Sequence, residues 1–352
     1  VGGVLRESGV AQVTVAAVLH LFRHRGRRAI AAGIVFACLV LVFALGTING
    51  GLAIAAPLLI PVAARLGYTR STTAVLLFVG GCAGLAIAPF AGANVAIMQA
   101  AGVGYGTYLL FGGGPLALVT ILVGLLWTPV VQRHTAKSGD FYTDEEAADT
   151  STPITASMRK AAIVFAVVLT LLVVFAIVTA IGFVFPLFAL PILAIATGLA
   201  VRMPIGTWFI AVGRGMRSML GIFVLFWLLS ILFLIIDSLH PFDTLLVLLG
   251  PQLEASSPFI FSLIVAFVGW VAVPGATAAQ VVLLDRVFGP MAIQIGVSPA
   301  SWVVVLLFAA KADTYGPFPN PNMFTAMGLA HSTNLRAMLL TGWTLLIPAI
   351  LM

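Results

Sequence analysis

The sequence predicts an all-α polytopic membrane protein made of two inverted repeats, each with a re-entrant hairpin and a broken transmembrane helix. Three observations carry this. The 352 residues are 61% hydrophobic and 8% charged, with a mean hydropathy of +1.17, and several apolar runs approach or exceed the roughly 20 residues that span hydrocarbon. Residues 313 to 322, Asp-Thr-Tyr-Gly-Pro-Phe-Pro-Asn-Pro-Asn, interrupt one apolar stretch with residues that oppose helix. A near copy, Ala88-Pro89-Phe90-Ala91-Gly92-Ala93-Asn94, stands about 228 residues earlier. Open backbone at membrane depth survives only where protein buries it or where it lines a wet cavity, so paired breaks point to the binding site of a secondary transporter.

Composition narrows the alternatives. The apolar runs are continuous, not alternating, which excludes a β-barrel. The two cysteines, Cys38 and Cys82, both lie in apolar stretches, and the histidines show no metal-ligand spacing, so neither a disulfide framework nor a metal cofactor is expected. The net charge of +6 comes from basic residues at helix ends, where cytoplasmic loops collect them; it reports orientation and implies no nucleic-acid partner.

In chain order, Val10 to Phe22 reads as an interfacial helix before a basic turn. Ala29 to Gly46 enters the membrane, Thr47-Ile48-Asn49-Gly50-Gly51 interrupts, and Leu52 to Ala64 returns to Arg65 and Arg70. Basic residues at both ends make this a re-entrant hairpin; two short spans with a tight outer turn are the alternative. Thr72 to Leu85 crosses, breaks at Ala88 to Ala93 and resumes to Ala101, and Tyr108 to Val131 comes back. The stretch from Arg133 to Lys160 holds five of the eleven acidic residues and reads as a solvated cytoplasmic linker between repeats 1–132 and 161–352. Two spans follow, then an interfacial helix around Trp208, a crossing from Leu220 to Ile236, and an external loop from Asp237 to Ser257 without lysine or arginine. Pro258 to Val273 and Ala278 to Ile295 form the second hairpin around Pro274-Gly275-Ala276-Thr277.

Laying the chain on itself at 228 to 230 residues pairs Pro89-Phe90 with Pro317-Phe318, Asn94 with Asn322, Leu109-Leu110-Phe111-Gly112 with Leu339-Leu340-Thr341-Gly342, and the turn at Asn49 with Thr277. The block 158 to 237 has no counterpart before residue 10, which predicts about 70 to 80 further residues, about three helices, preceding Val1.

Gly46-Thr47-Ile48-Asn49-Gly50-Gly51, Ala56-Pro57-Leu58-Leu59-Ile60-Pro61, Leu66-Gly67, Ile87-Ala88-Pro89 and Gly104-Tyr105-Gly106 resemble the ion transporter superfamily, nearest its C4-dicarboxylate uptake, gluconate permease and NhaC-type antiporter branches. The resemblance implies two hairpin tips meeting two broken helices at mid-membrane in a homodimer of the cytoplasmic (inner) membrane, carrying organic anions with sodium or protons. The Ser-Asn-Thr tip signature of the sodium-coupled dicarboxylate branch is absent: the tips read Thr47-Ile48-Asn49 and Gly275-Ala276-Thr277.

The broken helices offer amides to an anion at the start of each second half and carbonyls to a cation at the end of each first half. Asn94 and Asn322 stand where the second halves begin, as amide caps or substrate contacts, with Asn320 beside them. Thr47, Asn49 and Thr277 supply oxygens at the hairpin tips, with turn formation the alternative. Lys311 is the only lysine outside the linker and its flanks. It and Asp313 are the charged pair expected at the second break: Asp313, with Thr314, as coupling-ion acceptor and Lys311 as its partner or a carboxylate contact. The expected function is ion-coupled secondary transport of a small organic anion, without a cofactor beyond the coupling Na⁺ or H⁺; a sodium/proton antiporter is the alternative. Paired catalytic carboxylates and Ser/His arrangements are lacking, so an enzyme is not expected.

Overall fold

The computed structural model describes residues 1–22, 26–144, 146–147, 153–239, 256–272, 277–316 and 318–351. Among them the regular secondary structure is helical, apart from one isolated antiparallel bridge, Thr69 with Phe141. Six stretches are long and apolar enough to cross a membrane: Arg27–Leu45, Ile48–Arg65, Arg70–Ala100, Tyr105–Ala136, Ala156–Val178 and Thr277–Ile295. The protein is an all-α polytopic membrane protein.

The first repeat opens with α1 (Gly2–Glu7) and α2 (Val10–Phe22), then a hairpin of α3 (Arg27–Leu45) and α4 (Ile48–Arg65). The interruption is shorter than its sequence suggests. Only Gly46, at φ +69°, and Thr47 leave the helix, so Asn49, Gly50 and Gly51 form the first turn of α4. Gly51 is there for packing: a Cβ on it would run into Val42 of α3. The broken helix follows as α5 (Arg70–Ile87) and α6 (Gly92–Ala100), then α7 (Tyr105–Tyr108), a π-helical turn over Leu109–Gly113, and α8 (Gly114–Ala136).

After the linker come α9 (Ala156–Val178), α10 (Phe185–Ala200) and α11 (Ile205–Leu239). An interfacial helix around Trp208 followed by a separate crossing does not occur, because α11 runs as one helix of 35 residues. Its single glycines do not break a helix without proline or a turn dipeptide to assist them. The external loop expected at 237–257 falls mostly outside the described residues. The second hairpin is α12 (Pro258–Ala272) and α13 (Thr277–Ile295), its tip residues 273–276 also lying outside the described set. The second broken helix is α14 (Pro299–Tyr315) and α15 (Pro321–Leu329), and α16 (Leu335–Leu351) closes the chain. Asp313, Thr314 and Tyr315 remain helical, contrary to the sequence expectation. The helix stops at Gly316, whose φ of +89° strains other residues, and Pro321 fits the first position of α15, where no amide hydrogen is needed.

Contacts at the helix ends fix the topology. Arg27 donates to Gly67 O at 2.8 Å, and Gln132 Nε2 donates to the same carbonyl at 3.0 Å, so α3 starts, α4 ends, α5 starts and α8 ends on one face. Arg27, Arg65, Arg70, Arg133, Arg159 and Arg336 lie at helix ends there, and we call it the basic face. At its other end, α6 leads to Tyr105, whose amide donates to Ile181 O between α9 and α10 on the opposite face. The second repeat runs the other way: α14 starts beside Pro258 and Val297 on the opposite face, and α15 ends at Leu329, three residues before Ser332, whose hydroxyl lies 3.1 Å from that of Ser71 on the basic face. The repeats are inverted.

Glycines repeat the symmetry at atomic detail. A Cβ on Gly113 would strike the carbonyl of Ala86, and one on Gly342 would strike the carbonyl of Tyr315; the last span of each repeat thus rests on a carbonyl at the end of the half-helix before the break. Both pairs are 229 residues apart, so Gly342 matches Gly113, not Gly112 as the sequence alignment has it.

The linker does not hang in solvent. Asp140 accepts from the amide and hydroxyl of Ser71, Tyr142 donates to Ala330 O at 3.0 Å, and Glu146 bridges Arg70 at 2.8 Å to His331 at 2.7 Å. It therefore straps the start of the first broken helix to the end of the second, because its acids meet basic and hydroxyl groups at both helix ends. The hydrogen bond from Arg70, then that from His331, hold the Glu146 carboxyl down at about 2. With the folded value below the reference of 4.5, the stabilisation is complete above pH 4.5 and lost as pH falls toward 2. Pepsin cleavage within 137–155 should accelerate across that window relative to an unstructured control peptide, and Glu146→Gln should already be cut fast at the upper end. A flat wild-type rate would detach Glu146 from the strap.

Candidate functional site

Each hairpin tip meets a break. Gly46 is packed so closely on the backbone of Phe90 and Ala91 that a Cβ would lie 2.8 Å from the Phe90 carbonyl carbon. Thr277 at the second tip donates its hydroxyl to Asp313 Oδ2 at 2.7 Å. By length the arms of the first hairpin could span the bilayer, but α5 reaches the tip after 18 residues, roughly 27 Å, and α6 continues beyond it for nine more. The tip therefore lies against the break, and the broken helix continues past it.

The halves also interlock. The α4 arm packs along α15, and α13 packs along α6, where Ala278 Cβ sits 3.9 Å from the position of a Cβ on Gly92. The N-termini of four helices, at Ile48, Gly92, Thr277 and Pro321, consequently stand at the contacts between hairpins and breaks. Thr47 and Ala91, the N-cap residues of α4 and α6, make no side-chain cap, so the first-turn amides of both helices lack side-chain acceptors. Asn49 is exposed in this region, while Thr47 and Asn322 are half-buried.

The two breaks are satisfied differently. At the first, Asn94 Nδ2 donates to Leu85 O at 2.8 Å and Ala88 O at 2.9 Å, Tyr108 donates to Ala86 O at 2.7 Å, and Tyr105 to Ile87 O at 2.5 Å. The carbonyls of Leu85, Ala86, Ile87 and Ala88 at the end of α5 each have a side-chain donor. Asn94 thus serves the end of the preceding half-helix and does not cap the amides of α6, where it is the third residue. Its Oδ1 is buried without a partner. At the second break the N-cap is Asn320: its side chain accepts from Met323 N at 3.0 Å and its amide donates back to Thr314 O at 3.3 Å. Leu85 and Thr314 are 229 residues apart, so Asn320, not Asn322, is the working counterpart of Asn94.

A small cavity of about 40 Å³ lies against the second break, lined by Asp313, Asn320, Gln280 and Trp270. Trp270 Nε1 is buried and has no acceptor among the described residues. Gln280 is buried and donates to Gly269 O and Ala309 O, stapling both hairpin arms to α14. Sequence reasoning missed Trp270 and Gln280, although Gln280 is a lone amide in an apolar run three residues past the tip. The structure brings Thr277, Asp313, Asn320 and the Thr314 carbonyl together. Lys311 is two residues from Asp313 on one helix, so the two side chains diverge, and Lys311 instead lines a groove on the other side of α14.

No protein-family model matches the sequence, and no curated protein matches it. The structure resembles the crystal structure of the Alcanivorax borkumensis YdaH transporter, described as revealing an unusual topology, with a TM-score of 0.70 at 17% identity over 99% of this chain and 81% of that one. At this identity the likeness is one of fold.

The two asparagines should respond oppositely to loss of the amide donor. Asn94→Asp puts a carboxylate against carbonyls and strips their donor, costing about 1–3 kcal/mol or more, whereas Asn320→Ser keeps an uncharged oxygen to cap Met323 N, gives up only the longer bond to Thr314 O, and should stay within about 1 kcal/mol of wild type. Thermal melting in detergent checks both; equal Tm values for the two variants would reject the division of roles.

Proposed function

We propose that the protein is an ion-coupled secondary active transporter of a small organic anion, carrying a carboxylate across the cytoplasmic membrane with Na⁺ or H⁺. The feature that supports the reading is the set of four helix N-termini at the contacts between hairpins and breaks, beside a carboxylate bound by Thr277 at the start of α13. Helix N-termini carry partial positive charge and open amides, and a water-poor setting strengthens their pull on an anion. The uncapped first turns of α4 and α6, with Thr47, Asn49 and Asn322 alongside, form the anion's cradle in this reading. The resemblance to a solved transporter supports transport in general; the carboxylate substrate is inferred from the helix ends.

Asp313 takes the coupling ion. Its cavity has room for a monovalent cation or a water or two, and not for an organic anion. Thr277 ties Asp313 to the hairpin tip, so whatever neutralises the carboxylate alters the tip's hold on the break. Ion binding and opening of the second hairpin are thereby linked, and the saturated first break supplies a fixed counterpart. Asn320 and Thr314 complete the ion's surroundings from the backbone of the break. A homodimer is the assembly this reading adopts.

In proteoliposomes, imposed Na⁺ and pH gradients should drive accumulation of a labelled carboxylate by the wild type. Asp313→Asn keeps the shape and loses the charge; it should abolish accumulation while leaving downhill exchange measurable. Concentrative uptake by that variant at the wild-type rate would remove Asp313 from the coupling site. Gradient dissipation with no carboxylate requirement would favour cation antiport instead.

A further inference from the structure

On the far side of α14 from the hairpin tip, a groove of about 510 Å³ runs between α12, α14 and α16. Its walls are largely apolar, with Phe259, Leu263, Ala266, Phe308 and Ile350 among them, and Ser262, Ser298 and Ser301 add hydroxyls. One charged residue lines it: Lys311, which is 2% exposed and makes no hydrogen bond or ion pair among the described residues. An ammonium enclosed by hydrocarbon walls without an acceptor costs several kcal/mol. The functional site leaves that cost unexplained, since Thr277, Asn320 and Gln280 all lie on the other side of the helix.

We propose that this groove binds a single-tailed amphipathic carboxylate of the fatty-acid type, its carboxylate at Lys311 and its apolar chain along the groove toward the opposite face. Charge complementarity fixes the head, and the apolar walls fix the tail. Depth selects among anions. Lys311 lies 12 residues past Pro299, roughly 18 Å in from that face, whereas a phospholipid phosphate stays at the interface. A dicarboxylate would leave its second charge on apolar wall, at a desolvation cost with nothing to offset it. Phe259 and Leu263 are exposed along one flank, which lets a membrane-dissolved chain enter sideways. The volume is in the range that encloses a drug-sized ligand. The site is separate from the proposed transport path and does not depend on it.

The probe is radiolabelled laurate, added to the purified protein in nanodiscs of phosphatidylcholine. The wild type should bind it saturably, with dodecanol and succinate each competing at least tenfold less well than unlabelled laurate. Lys311→Met, which keeps the stem and removes the charge, should weaken binding at least tenfold with melting unchanged or raised. Ala266→Phe fills the groove and leaves Lys311 in place, and should weaken binding similarly. Laurate affinity within twofold of wild type in both variants would overturn the proposal. Equal competition by dodecanol would also overturn it, by making the groove a general seat for lipid chains. Binding seen only after a dimer is dissociated would assign the surface to a second copy of this chain. Because neither variant touches the hairpin tips, failure here leaves the transport reading to its own uptake measurement.

Discussion

A helix broken inside a bilayer must find partners for its freed carbonyls and amides within the protein, and the rest of this structure follows from how the two breaks meet that demand. At the first, Asn94, Tyr105 and Tyr108 supply donors to the carbonyls of Leu85 to Ala88. The π-helical turn at Leu109–Gly113 follows the two tyrosines directly, and Gly113 lets that turn settle on the carbonyl of Ala86. The cost of opening the backbone is thus met by side chains from the same repeat. At the second, no tyrosine reaches back in the same way among the described residues. Asn320 serves one carbonyl, Asp313 brings a charge, and Trp270 keeps an unused donor.

This inequality gives symmetric repeats asymmetric work. Each hairpin arm packs on the half-helix of the other repeat, α4 on α15 and α13 on α6, so neither tip can move without changing the partner's break. Backbone amides at the four N-termini suit an anion, and a carboxylate suits a cation beside them. In the proposed reading, a cation and an anion bound that close would attract each other in a medium of low dielectric, which would favour moving them together. Lys311 stands apart on the reverse of the same helix, and its groove is a separate piece of chemistry.

Much of this was legible from local residue chemistry. Pro89 and the Gly316 to Pro321 run announce the breaks, and the 229-residue spacing announces the repeat, because proline and glycine act on their own backbone whatever surrounds them. Roles set by distant partners were not legible. Whether an asparagine caps the helix after it or serves the helix before it depends on the fold of the loop between, so the sequence leaves Asn94 and Asn322 as caps or substrate contacts, whereas in the structure Asn94 serves the helix before it and Asn320 caps the helix after it. Glu146 looks like one acid in a solvated run until Arg70 and His331, far away in sequence, arrive on either side of it. The continuity of α11 was obscured by arginines that resemble an interface, and Trp270 and Gln280 were hidden as single polar atoms in apolar helix.

The central claim is that the second hairpin's tip rests on the first repeat's half-helix, and a disulfide tests it directly. Ala278 Cβ lies 3.9 Å from the Cβ site of Gly92, within the range that a disulfide needs. In a background with Cys38→Ala and Cys82→Ala, the pair Gly92→Cys and Ala278→Cys should oxidise readily, stop transport of a labelled carboxylate in proteoliposomes, and release it again on reduction. If both cysteines react with maleimide yet never cross-link, or if the cross-linked protein transports at the uncross-linked rate, the interlocked arrangement of tip and break is not the one that works in the membrane.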